Sequence, residues 1–173
     1  MPLVILDRDG VINHDSDEYI KSEHEWRPIA GSLEAIAKLH RGGYQVVVAT
    51  NQSGIARGYY SLETLAAIHA KMNLMVEQRG GRIDGIFYCP HRPDEGCECR
   101  KPKPGLLLRA LAEFDADPAQ TVMVGDSEKD VVAARAAGVT PVLVRSGKPG
   151  AVVDVEQQFD DLAAYVHSIL GHP

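Results

Sequence analysis

Five short apolar runs recur along this chain, and they limit it to few folds. Leu3-Val-Ile-Leu closes on Asp7, Gln45-Val-Val-Val-Ala on Thr50, and Thr121-Val-Met-Val-Gly on Asp126; Ile83 to Tyr88 and Pro141-Val-Leu-Val-Arg145 are the other two. Runs this short, without polar alternation, are expected of strands buried on both faces. Segments with helical spacing lie between them. Gly31 to His40 carries apolar residues at 33, 36, 37 and 39 and meets a Gly42-Gly43 stop. A long helix is expected from Ser61 through Leu65, Ile68, Met72 and Met75 to Gly80-Gly81, its methionines read as core packing. Pro104 to Phe114 starts with proline near its first turn, Lys129 to Ala137 stops at Gly138, and Asp160 to Leu170 closes the chain. Strand and helix alternate, which predicts a doubly wound parallel α/β sheet in three layers. Residues 1–173 suit one domain with one core, and 146–159 reads as a loop.

Such sheets place their sites beyond the carboxyl ends of the strands. The first strand ends at Asp7 with Asp9 just beyond, the second at Thr50-Asn51-Gln52-Ser53, and the fourth at Gly125-Asp126; the third leads into a loop holding every cysteine of the chain. Unusual chemistry therefore collects on one rim.

Asp7 and Asp9 are separated by one residue, and alternate residues of a strand face the same way. Asp126 is expected on the same rim. Like charges at 4 Å cost about 4 kcal/mol per pair at an effective dielectric near 20. A cation must offset that, and all-oxygen ligation suits Mg²⁺. A carboxylate beside Mg²⁺ can attack phosphorus, and a second acid nearby can protonate the departing alkoxide and later activate water. Thr50, the Asn51 region and Lys101 are the available donors to a phosphoryl group.

Cys89, His91, Cys97 and Cys99 form C-x-H-x₅-C-x-C. Three thiolates and an imidazole match a closed tetrahedral Zn²⁺ site, structural because four protein ligands leave no open position. A disulfide would leave one thiol over and His91 unexplained. The loop ends at Arg100-Lys101-Pro102, so a metal-pinned loop would deliver two cations to the rim. Arg100 can grip a second anionic group bidentately.

Asp7-Arg-Asp-Gly, Thr50, Lys101 and Gly125-Asp-Ser-Glu-Lys-Asp130 together resemble the four motifs of the haloacid dehalogenase (HAD) superfamily of phosphatases. The resemblance implies Asp7 as nucleophile, Asp9 as general acid/base, and Thr50 and Lys101 as phosphoryl stabilisers. It implies Mg²⁺ on Asp7, the backbone carbonyl of Asp9, and Asp126, with Asp130 supporting from behind or through water. It also implies the sheet order 5-4-1-2-3. L-D-R-D-G-x-I-N, T-N-Q-S-G-I-A-R-G and C-P-H…C-x-C-R-K-P narrow the resemblance to the heptose bisphosphate phosphatase family, whose members serve lipopolysaccharide or related glycan synthesis. There the arginine before the lysine, here Arg100, contributes to substrate recognition, as does the loop after the first motif, here Asn13 to Tyr19 with Asp15, Ser16, Asp17 and Tyr19. Asn51, Gln52 and Ser53 are further substrate-side candidates, with Arg57, Arg92, Arg145 and Lys148 as outlying cations. The histidinol-phosphate phosphatase branch shares the cysteine loop, and its short form is similar to this one. Val11 stands where many relatives carry Thr. Neither gap that hosts a cap domain in such phosphatases is long enough here for one.

The net charge of −6 disfavours a nucleic-acid partner, no run approaches the roughly 20 apolar residues of a membrane span, and the N-terminus does not read as a signal peptide. The expectation is a cytoplasmic, monomeric enzyme acting on a small phosphorylated sugar. The reading from another class is a zinc-stabilised binding module without catalysis.

Overall fold

The computed structural model describes residues 1–147 and 154–171. Its strands are β1 (Leu3–Leu6), β2 (Gln45–Asn51), β3 (Gly85–Cys89), β4 (Val122–Gly125), β5 (Thr140–Val144) and β6 (Gln158–Phe159). Its α-helices are α1 (Ser32–Arg41), α2 (Leu62–Gln78), α3 (Gly105–Glu113), α4 (Glu128–Ala136) and α5 (Leu162–Leu170). The strands form one parallel sheet in the order β3-β2-β1-β4-β5-β6. The expected order of five strands is present, with β6 added at the edge.

β1 shows why the layers form. All four of its residues are buried, and their alternation splits them between two cores. Val4 and Leu6 join Val46, Val48, Ile36, Leu39, Ile68 and Val166 under α1, α2 and α5. Leu3 and Ile5 join Val47, Ala49, Leu107, Ala110 and Ala134 under α3 and α4. A strand apolar at every position can bury both faces, and only a sandwiched parallel sheet lets it.

Caps sit where the sequence offers them. Ser61 accepts from the Thr64 N–H at 3.1 Å, Asp161 from the Ala164 N–H at 2.8 Å, and Ser127 with Asp130 forms a capping box on α4. α4 therefore begins at Glu128, one residue before the expected start. The expectation of a loop over 146–159 needs correction at its end. Gln158 and Phe159 pair with Leu143 and Val144 of β5. Two residues are too few to show a period, so the partner strand alone reveals them. Residues 148–153 lie outside the described residues. Among those described, no helix is long and apolar enough to cross a membrane.

Between β1 and α1 the chain makes a turn, a bridge of Asn13 to Asp9 and Pro28, and one short 3₁₀ turn at Glu23–Glu25. Ile12, Ile20 and Trp26 bury themselves against the core there, and Val11 is buried too, its carbonyl accepting from Ser32 Oγ at 2.8 Å. The segment is a wall of the rim rather than a separate cap.

Candidate active site

Asp7 stands one residue past β1, and its amide donates to the Val124 carbonyl at 2.9 Å, which ties it to β4. Asp126 stands one residue past β4, so adjacent strands deliver both acids to one place. Oxygens of Asp7, Asp126 and Asp130 all lie within 4.8 Å of one another. An octahedral Mg²⁺ at 2.0–2.1 Å from its ligands would span oxygens roughly 3–4 Å apart, so the group fits such an ion. Electrostatics points the same way. Burial, then the Asp130 charge, raises Asp7 well above the usual carboxylate range and pushes Asp126 up to about 6. Bare, these carboxylates repel, and a divalent cation removes that penalty.

Asp126 sits in a notch between Gly10 and Gly147. A Cβ on either glycine would run into its carboxylate. Gly10 also holds φ +86°, the left-handed turn that swings the chain away after Asp9.

Lys101 closes the cluster from the opposite side, buried to 3 % exposure. Its Nζ donates to Asp130 Oδ1 at 2.7 Å, to Asp7 Oδ1 at 2.9 Å and to the Ala49 carbonyl at 2.9 Å. All three ammonium protons are thereby engaged. Burial works against its charge, but Asp130 and Asp7 outweigh that and hold its pKa above the ordinary lysine value. Asp130 Oδ2 accepts from the backbone N–H groups of Asp126 and Ser127 at 3.1 and 3.2 Å and from Ser127 Oγ. These bonds tie Asp130 to the start of α4 and to Lys101.

Asp9 leaves the carboxylate cluster. Its Oδ1 accepts from Arg8 Nε at 2.9 Å and Asn13 Nδ2 at 3.0 Å, and its Oδ2 from Gln52 Nε2 at 3.2 Å. Burial alone would raise its pKa, yet the Arg8 charge and the Asn13, Arg8 and Gln52 hydrogen bonds hold it below the usual value. Its side chain is thus separate from the metal-type group, and the expected contact of residue 9 with Mg²⁺ was through backbone. Thr50 is buried at the end of β2, where its Oγ1 accepts from Gln52 Nε2 at 2.9 Å.

Asn51 has a second part beside the one expected of it. Its Oδ1 accepts from the Lys101 N–H at 3.0 Å and its Nδ2 donates to the Lys101 carbonyl at 3.1 Å. Its amide is an anchor for Lys101, although the residue also lines the cavity. Gln52 is likewise engaged, donating to Asp9 and Thr50 while Tyr60 donates to its Oε1 at 2.5 Å.

Two adjoining cavities open over these groups. One, of about 360 Å³, is lined by Asp7, Asp9, Asp15, Thr50, Asn51, Lys101, Asp126 and Lys129. The other, of about 300 Å³, is lined by Asp15, Ser16, Asp17, Tyr19, Gln52, Ser53, Arg100 and Lys129. The loop expected after the first motif and the arginine before the lysine thus face one space. Asp15 and Ser16 also brace their own loop, accepting from the Ser16 and Glu18 amides. The outlying cations have local partners: Arg92 pairs with Asp94 and Glu95, Arg145 with Gln158, and Arg57 reaches Ser53 Oγ. Lys148 lies outside the described residues.

The four candidate zinc ligands also converge. Cys89 ends β3, the Pro93–Glu95 turn reverses the chain, and Cys97 and Cys99 return to it. Cys89 Sγ lies 3.6 Å from Cys97 Sγ and 2.8 Å from Cys99 Sγ; His91 Nδ1 lies 3.4 and 3.2 Å from Cys89 and Cys99. A tetrahedral Zn²⁺ with bonds of about 2.3 Å separates its sulfurs by roughly 3.8 Å, so this cluster could hold such a metal. Burial raises the Cys89 thiol, whereas Cys97, despite its burial, falls to about 7 through the Arg100 N–H and neighbouring sulfurs. Lys103 Nζ donates to the Cys97 carbonyl at 2.7 Å and the Gly105 N–H to Glu98 O at 3.2 Å, which fastens the loop to α3.

Arg8, Tyr60, His69 and Lys129 were not foreseen, and Asn13 only as the start of the loop after the first motif. A GDSEKD helix start gives Lys129 no mark of its own, and Arg8 meets His69 only across 61 residues of chain.

An Asp just past β1, a buried lysine opposite it and an acid pair beyond β4 make the arrangement of a HAD-type phosphohydrolase centre. The HAD-hydrolase-like family matches residues 98–169. The D-glycero-beta-D-manno-heptose-1,7-bisphosphate 7-phosphatase of Pseudomonas putida is 54% identical over 176 residues, covering 98% of this chain and all of that protein. A crystal structure of D,D-heptose 1,7-bisphosphate phosphatase from Bordetella bronchiseptica, complexed with magnesium and phosphate, superposes with TM-score 0.94 at 47% identity, covering 98% of both chains. That from Burkholderia thailandensis gives TM-score 0.76 at 40% identity over 99% of this chain and 100% of that one. The chain belongs to the D-glycero-beta-D-manno-heptose-1,7-bisphosphate 7-phosphatase family.

Proposed function

We infer that the chain hydrolyses the C7 phosphate of D-glycero-D-manno-heptose 1,7-bisphosphate, in the supply of heptose for lipopolysaccharide or related glycans, and works in the cytoplasm. The observation that carries the reading is the meeting of Asp7, Asp126 and Asp130 with Lys101 beneath a cavity walled by Arg100 and the 15–19 loop.

Asp7, Asp126 and the backbone at residue 9 would hold Mg²⁺, which supplies charge neutralisation on the phosphoryl oxygens. Asp7 attacks phosphorus, and the P–O bond to C7 breaks as the aspartyl-phosphate forms. The C7 oxygen leaves with the bonding electrons and takes the proton of Asp9. Asp9 Oδ1 is occupied by Arg8 and Asn13, so Oδ2, held by Gln52 alone, is the oxygen that passes the proton. An arriving phosphoryl dianion adds negative charge beside Asp9 and raises its proton affinity. In the second half Asp9 takes a proton from water, whose oxygen attacks phosphorus and frees Asp7. The contacts that favour ionised Asp9 suit that step. Lys101 reaches a phosphoryl oxygen by exchanging one of its three protein acceptors. Arg100, on the loop fastened by the cysteine cluster, faces the second phosphate. Four protein ligands give a metal there a structural part.

The test is phosphate release from heptose 1,7-bisphosphate, histidinol phosphate and simple phosphomonoesters, compared by kcat/KM. Preference for the heptose bisphosphate is the expected result; preference for histidinol phosphate overturns the substrate. Asp7→Asn should abolish turnover with thiolate-bound metal unchanged, and retained turnover rejects Asp7 as nucleophile.

A further inference from the structure

Among the described residues Arg8 is the largest charged side chain wholly removed from solvent, at 0 % exposure, and it lies between Asp7 and Asp9 in sequence. A guanidinium so buried needs partners for its charge and its N–H groups. Asp9 supplies the charge: Nε donates to Oδ1 at 2.9 Å, and Nη2 lies 2.8 Å from the same oxygen. The Nη2 approach is off the hydrogen-bond line, so Nε is the donor and Nη2 adds proximity. The far end, Nη1, meets Nε2 of His69 at 3.2 Å. His69 belongs to α2, 61 residues away, and is itself buried between the core residues Ile68 and Met72. Facing a guanidinium, its Nε2 can only accept, which places the ring proton on Nδ1. Burial, then the Arg8 charge, keeps the ring neutral, with its pKa lowered to about 3. The acceptor is therefore permanent across physiological pH.

We propose that His69 and Arg8 are positioning residues that form a strut from α2 to Asp9, fixing the general acid/base so that Oδ2 alone faces the leaving oxygen. Remove the His69 acceptor and Nη1 is left buried without a partner; the guanidinium then turns toward another acceptor and drags Oδ1 with it. The strut acts on proton transfer to the leaving group. Asp7, Lys101 and the carboxylate cluster are held by other contacts. The inference rests on the reading of Asp9 as the proton carrier and is independent of which phosphomonoester is the substrate.

Proton donation matters for an alkoxide leaving group and little for a stabilised phenolate, so the experiment compares the two by kcat/KM. The alkyl arm is heptose 1,7-bisphosphate, or glycerol phosphate if the heptose reading fails; the other arm is p-nitrophenyl phosphate. His69→Phe keeps the bulk and deletes the acceptor. It should lower kcat/KM about tenfold or more on the alkyl phosphate and less than about twofold on p-nitrophenyl phosphate. His69→Gln offers Oε1 to Arg8 and should restore most of the loss. Equal losses on both substrates, or no loss on the alkyl one, overturn the proposal. If His69→Phe does not fold, Arg8→Lys, which keeps the charge but cannot reach both partners, must show the same leaving-group dependence; equal losses there overturn it likewise.

Discussion

Asn51 and Lys101 grip each other through a reciprocal pair of hydrogen bonds, side-chain amide to main chain, at 3.0 and 3.1 Å. The pair joins the end of β2 to the chain 50 residues later, just where the loop after β3 must present its lysine.

That geometry predicts a cost when the amide is lost. Asn51→Leu leaves a main-chain donor and acceptor of Lys101 without partners, at about 1–3 kcal/mol for each that stays dry. With Nζ displaced from Asp7, kcat should fall about tenfold to a hundredfold. Steady-state kinetics with a thermal melt checks this; unchanged kcat would show that the other contacts of Lys101 suffice.

The cysteine cluster should act on catalysis only through position. Cys99→Ser is expected to lower bound zinc, measured by elemental analysis, and to weaken substrate affinity and turnover together, because Arg100 and Lys101 follow the loop directly. Magnesium half-saturation should stay within about twofold, since Asp7 and Asp126 come from β1 and β4.

Gly10→Ala probes the notch around Asp126. The added Cβ meets the Asp126 carboxylate, and the φ of +86° costs about 1–2 kcal/mol for any residue with a Cβ. The magnesium concentration for half-maximal activity should rise at least tenfold. A variant with normal magnesium response but reduced stability would mean that Asp126 had room to shift.

The stability gained from magnesium should grow with pH. Asp126, pushed up to about 6 by burial and the Asp130 charge, sits above its unfolded value near 3.8, and Asp7 is shifted the same way. Such groups stabilise the fold while protonated, so without magnesium their contribution fades as pH rises from about 4 through 6, by roughly 2–3 kcal/mol for Asp126. Asp9 is lowered instead, and its contribution is lost only in stronger acid, below about 4. His69, lowered to about 3 from 6.5, contributes the opposite slope with or without magnesium, so the informative quantity is the gain in melting temperature on adding magnesium, which should grow from pH 4.5 to 8. A magnesium-induced gain that stays constant or shrinks as pH rises would contradict the carboxylate assignment.

The candidate-site residues were legible because most lie at a strand end or beside a local signal. Asp7 and Asp9 share a turn, Thr50 and Asp126 close apolar runs, and the four zinc-type ligands fall within eleven positions, Cys89 to Cys99. What surrounds them was not. The Asn51 region read as a donor to phosphate, and a side-chain amide at a strand end gives no hint that a distant backbone will also engage it. His69 sits on the buried face of α2, where periodicity reads a core position and says nothing of a partner near β1. The pairing of Gln158 and Phe159 with β5 needed the sheet edge to be seen.

By itself the sequence determined the alternation of buried strands and helices, and with it the side of the sheet on which the acids emerge, because burial pattern and strand direction are local properties of the chain. Only the tertiary structure decided which atoms are already engaged: all three protons of Lys101, one oxygen of Asp9, both ends of Arg8. Those assignments depend on donors and acceptors from separate segments competing for the same few ångströms, and that competition exists only once the chain has folded.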